Sequence, residues 1–177
     1  MTGDTTLADI DRLRDLPVSL IAALDYWDEC RKGLFAPAWR DFDLMALPSK
    51  VIPSTSVIDI ADPLSDSTYR FWGSHMTVIY GRDLTGGCPY KIHTPAFGRV
   101  LLARHEKMMR ERKPSSTHFR FTTGNLDRRS HTVLRFPLSN DGAGIHHIVV
   151  ISDYSPEALQ RIEESGLEFT SMVEVIE

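Results

Sequence analysis

Apolar residues recur at Leu20, Ile21, Leu24 and Trp27 within LPVSLIAALDYWDECRKGL, the spacing of a helix with one packed face, and the pattern stops near Gly33. The next stretch is broken by Pro37, Pro48 and Pro53, which predicts a turn and one short helix across Phe42 to Leu47. SVIDIADP and STYRFWG are short runs rich in β-branched and aromatic residues, and ADPLSD between them has the composition of a hairpin turn. They predict two adjacent strands. A short helix is expected around Met76 to Tyr80, and Gly81 then permits a tight reversal.

In TPAFGRVLLARHEKMMRERKP, Phe97, Leu101, His105 and Met108 share a face, with Leu102 and Met109 beside it, until Pro114 stops the pattern. A long helix follows from that. SSTHFRFTT, SHTVLRFPLS and GIHHIVVIS are then divided by GNLD and NDGAG, turn compositions that predict an antiparallel meander. Within the second run, Thr132, Leu134, Phe136 and Leu138 alternate with His131, Val133 and Arg135, a pattern that predicts one packed face and one partly solvated face. SPEALQRIEESG has a helix start at Ser155-Pro156-Glu157 and a stop at Gly166, and LEFTSMVEVIE suits a strand or a docking tail. The order predicts an α+β fold: a five-stranded antiparallel sheet with helices packed on one face, plus N-terminal and C-terminal helical additions.

Composition changes this picture little. The 177 residues suffice for one core, and 42% hydrophobic content is that of an ordinary globular chain. No run approaches the roughly 20 apolar residues of a membrane span, and MTGDTTLADIDRL lacks a basic start, so a cytoplasmic location is expected. Cys30 and Cys88 form no CxxC pattern and read as reduced structural thiols. The net charge of -4 hides segregation: residues 1 to 30 sum to -5, residues 99 to 135 to +7, and residues 155 to 177 to -5. Internal ion pairs and a solvated helix face account for that, and an acidic chain without a groove-reading motif argues against nucleic acid as a partner.

ALDYWDECRKG, then PAWRDFD, then YRFWGSHMTVIYGRDLTGG resemble the PAS-like domains that occur as small bacterial proteins, whose members carry a Trp-containing first helix and a GRDLTG turn. The resemblance covers about Leu20 to Ser152 and is sharpest over Tyr69 to Gly86. It divides the chain into an N-terminal extension (1–19), a PAS-like domain with its leading helix (20–152), and a C-terminal helix and tail (153–177). It implies a sensory or interaction module that binds a small molecule between sheet and helices, or a protein partner, and it implies no reaction. The leading helix, through Ile21, Leu24 and Trp27, is the expected homodimer contact.

Candidate chemistry is sparse. GRDLTGG has no lysine and runs into Cys88-Pro89, so it lacks the features of a phosphate cradle; Arg82 and Asp83 read as a local capping set. No nucleophile signature is present, and no flavin-reactive cysteine motif surrounds Cys88, which disfavours light sensing. The resemblance brings in His105, because some PAS proteins ligate haem iron from the corresponding helix; one residue on one helix reads first as a packed histidine. His146 and His147 are adjacent and face opposite sides of a strand, whereas His118, His131 and His147 would need a favourable register to hold a metal. Tyr69, Phe71, Trp72, Phe119, Phe121 and Phe136 are either core or the wall of a ligand cavity. The expected pocket set is Phe71, Trp72, Met76, Tyr80, His105 and Phe119, with no catalytic or metal residue and no named cofactor. The alternatives are a small metal-assisted enzyme and a ligand-free interaction scaffold.

Overall fold

A computed structural model describes residues 16–91, 95–122, 128–153 and 173–176. The expected C-terminal helix at 155–166 and most of the N-terminal extension lie outside the described residues, as do the side chains of Phe119 and Phe121. Helix α1, Val18–Arg31, starts where Pro17 presents its carbonyl to the amide of Leu20 and ends where Lys32 and Gly33 turn left-handed, at φ 51° and 82°. Its buried stripe is Leu20, Ala23, Leu24, Trp27 and Arg31. Two 3-10 turns, Trp39–Asp41 and Leu44–Ala46, replace the single short helix expected between the prolines. Asp43 caps the second, accepting from the amide of Met45 at 2.9 Å.

Strands β1 (Thr55–Asp59), β2 (Thr68–Trp72), β3 (Ser115–Thr122), β4 (Arg128–Leu138), β5 (His147–Asp153) and β6 (Val173–Ile176) form one antiparallel sheet in the order β2-β1-β5-β4-β3-β6. The five expected strands are there, and the fold is the expected α+β class. The C-terminal segment adds β6 to the β3 edge, so it is a strand. Helix α2, Ser74–Tyr80, and helix α3, Pro95–Glu111, follow β2. Between β1 and β2 a 3-10 turn at Leu64–Asp66 makes the connection longer than a tight hairpin, and the Ser67 hydroxyl stitches it by donating to the Leu64 carbonyl at 2.7 Å.

Alternation divides the core in two. Val57, Leu134, Phe136, Leu138, Val149 and Ile151 pack under α1, while Ile58 and Ile148 pack with Met76, Ile79 and Met108 from α2 and α3. The central helices thus share one face, and the N-terminal addition covers the other. This corrects the expectation for β4: its second face is not solvated, since Val133 is 4% and Arg135 1% exposed. It also corrects the proposed dimer contact, because Leu24 and Trp27 are fully buried against the chain's own sheet. Trp27 stacks on Phe136 at 5.8 Å, and its Nε1 donates to the Pro137 carbonyl at 2.9 Å.

Candidate ligand-binding site

The residues expected to share a pocket are distributed by the register of β2. In a regular strand Tyr69 and Phe71 would face the same way. The β1–β2 pairing shifts between Val57 and Ile58: Phe71 lies opposite Val57 and Tyr69 opposite Ile58, leaving Arg70 as the extra residue. Tyr69 and Trp72 therefore meet on the α2/α3 face, ring centroids 4.7 Å apart, while Phe71 packs into the α1 cluster. Arg70 reaches Asp59, its Nε donating to Oδ1 at 2.6 Å.

Trp72, Met76 and Tyr80 pack in one cluster between the sheet and helices α2 and α3, and His105 is buried on α3 against Tyr90; Phe71 lies on the other face, and the side chain of Phe119 lies outside the description. Tyr80 lies edge-on to Trp72 at 5.2 Å. Trp72 is buried, yet its Nε1 has no hydrogen-bond partner among the described residues. Such a group is costly unless something polar meets it.

His105 is 1% exposed and its Nδ1 lies 2.9 Å from the Tyr90 hydroxyl. Burial pushes its pKa down to about 3, with the Arg135 charge adding to the shift, so the imidazole is neutral. The neutral imidazole and the Tyr90 phenol share one hydrogen bond. Gly98 permits this pairing: a Cβ there would overlap the Tyr90 carbonyl, so only glycine lets α3 lie close against the 88–91 turn. Burial also raises the pKa of both Tyr69 and Tyr90, keeping their hydroxyls protonated.

Arg135 enters this interior from β4. Its Nη1 donates to Thr117 Oγ1 at 3.0 Å. Burial, and then the neighbouring Arg104 charge, lower its pKa to about 10, which still leaves it cationic at neutral pH. The expected set lacked Tyr90, Thr117 and Arg135. An arginine between Leu134 and Phe136 in the apolar second half of β4 was the readable signal for the last; the partnership of Tyr90 with His105 had none.

The opposite face carries a different polar cluster. His147 Nδ1 donates to Asp59 Oδ1 at 2.8 Å, and Asn140 Nδ2 lies 3.2 Å from His147 Nε2. The amide of Trp39 donates to Asn140 Oδ1 at 3.1 Å, which orients that carboxamide so that its NH2 meets an unprotonated Nε2. Burial lowers the His147 pKa, outweighing Asp59, in keeping with this neutral tautomer. Arg70 lies over the Trp39 ring at 5.4 Å. Both ring nitrogens of His147 thus have a partner within the fold.

The GRDLTGG turn is structural. Gly81 ends α2 at φ 69°, and Asp83 Oδ1 accepts from the Thr85 amide at 2.8 Å and hydroxyl at 2.7 Å. Those two bonds hold the Asp83 carboxyl below its usual pKa. The β3–β4 register sets His118 opposite Thr132 and His131 opposite Phe119, so the two histidines are not cross-strand partners. No group of His, Cys, Asp and Glu suited to a metal ion occurs among the described residues, nor does a helix long and apolar enough to cross a membrane.

No known family profile and no curated protein matches the chain. Among solved structures it is similar to the dark-state LOV domain of the blue-light photoreceptor Aureochrome1, at 10% identity and a TM-score of 0.41 over 71% of this chain and 92% of that one. A fungal LOV-domain photoreceptor shares 15% identity at a TM-score of 0.39, covering 64% and 81%. A Light-Oxygen-Voltage domain studied with a flavin analogue shares 7% at 0.39, covering 63% and 84%. With scores this low, the fold reading rests on the chain's own sheet order and register.

Proposed function

We propose that the chain is a PAS-type sensory module that binds a small molecule between its sheet and helices α2 and α3. It acts in bacterial signalling in the cytoplasm, passes the change to a protein partner, and catalyses no reaction. The observation that carries the reading is the polar interior on that face: a buried indole N–H with no acceptor among the described residues and, elsewhere on the same face, a neutral histidine near a buried guanidinium. A core needing only to be filled has no use for them.

A ligand signals only if it binds two packings of α2 and α3 with different affinity. Homodimerisation belongs to the same reading. A second copy must be met by residues other than Leu24 and Trp27, and the outer side of α1, where Val18 is 83% exposed, is available for it. Native mass spectrometry with an absorbance scan of freshly purified protein tests the whole reading. A bound small mass and a dimer are expected; a bare monomer at every concentration points instead to a ligand-free scaffold, and stoichiometric metal to the metal-assisted alternative.

A further inference from the structure

Four residues of the sheet lie in one cross-strand row on the α2/α3 face. Trp72 pairs with Ser56, Ser56 with Val150, and Val150 with Arg135. The row spans three strand spacings, about 14 Å between its end Cα atoms. Its ends are an indole and a guanidinium, and its middle is small. Val150 is the telling position. It sits in the middle of β5, between β1 and β4 and beneath two helices, where full burial is the norm. Yet it is only partly buried, while every other residue from His147 to Ser152 is fully buried. Cover over this row is incomplete at Val150, while Ser56 beside it is buried.

Small side chains in the middle, N–H donors at both ends and a partly exposed Val150 between buried neighbours make this row a candidate cleft for an elongated acceptor. The Arg135 end is the more strongly polar. Its planar fork matches a carboxylate, and the Thr117 hydroxyl helps to fix its orientation. Arg104 lies near enough to depress the Arg135 pKa, so a second cation favours negative charge at the same end. Met76 and the Tyr69, Trp72 and Tyr80 rings form an apolar and aromatic wall at the other. We infer that the cleft takes a small organic carboxylate, its acid group held by Arg135, its apolar body over Val150, and a second acceptor on the indole N–H of Trp72. This rests on the sensory reading and names its ligand class.

Paired probes that differ only in charge test it on the full chain: 4-hydroxyphenylacetate against 4-hydroxyphenylacetamide, and butyrate against butyramide, followed by calorimetric titration and thermal unfolding. The acids are expected to bind and to raise the unfolding temperature, the aromatic acid more than butyrate, and the amides to do neither. Arg135→Gln should weaken the acid by about 30-fold and Trp72→Phe by about fivefold. If Arg135→Gln does not fold, Trp72→Phe and the acid–amide contrast still decide. Equal binding of acid and amide, undiminished acid binding in either variant, or no binding by either acid overturns the inference. Amide binding without acid binding leaves the sensory reading standing and removes the carboxylate. Failure of all four probes, with no bound mass in the native protein, removes both.

Discussion

The two faces of the sheet handle their tryptophans in opposite ways. On the α1 face, Trp27 is stacked on Phe136 and its N–H is given to Pro137, while the polar groups nearby, Asp59, His147 and Asn140, satisfy one another. On the α2/α3 face, Trp72 is packed edge-on by Tyr69 and Tyr80, but its N–H meets no acceptor among the described residues, and Val150 beneath the helices is left partly open. One face is sealed as a core and the other is an interior that holds a neutral histidine, a guanidinium and an indole N–H with no acceptor among the described residues. Stability is therefore expected to concentrate on the first and recognition on the second.

The contrast can be broken at several points. Trp27→Ala removes a fully buried ring and a long-range hydrogen bond, and should cost about 3–5 kcal/mol in urea unfolding; a loss under 1 kcal/mol would show that α1 does not seal the sheet. Next in size is a pH effect from the other face. The folded pKa of His105 is depressed, so its neutral form is favoured on folding, and its contribution is fully present above the unfolded value of 6.5 and lost as pH falls toward about 3. Unfolding midpoints should drop across that window, and His105→Phe should flatten the decline. An unchanged slope in the variant would mean that the imidazole is not buried in its neutral form.

Two smaller effects compare neighbours directly. Val149→Ile adds a methylene to a position with 0% exposure on the sealed face and should cost about 1–3 kcal/mol, whereas Val150→Ile has space to enter and should be close to neutral. Equal costs would place the open floor in doubt. The smallest contrast is between the tryptophans themselves. Trp27→Phe leaves the Pro137 carbonyl without its donor and should cost about 1–2 kcal/mol beyond Trp72→Phe, which only removes a donor that had no acceptor. The difference in chemical denaturation midpoint reads it.

Most of the fold was legible because it rests on local rules. The spacing of Leu20, Leu24 and Trp27 specified α1, Gly33 and Gly81 marked helix ends, and the turn compositions separated β3, β4 and β5. The site was legible only in part. Trp72, Met76 and Tyr80 fall in one cluster, but Phe71 packs on the other side, since adjacent strand residues diverge. The partners of His105 lie 15 residues back in the chain, at Tyr90, and across the sheet, at Arg135, where no short-range pattern reaches.

The sequence by itself determined which segments are helix and strand, because propensity, periodicity and turn chemistry act over a few residues. Only the tertiary structure decided which face each residue serves. The bulge at Arg70, set by pairing with β1, puts Tyr69 beside Trp72 instead of Phe71. The docking of α1 on the far face turned an expected dimer surface into core. The alignment of Trp72, Ser56, Val150 and Arg135 across four strands exists only through three registers at once. Register is a long-range property: it is fixed by which faces find something to pack against, and a single strand read alone carries no record of that.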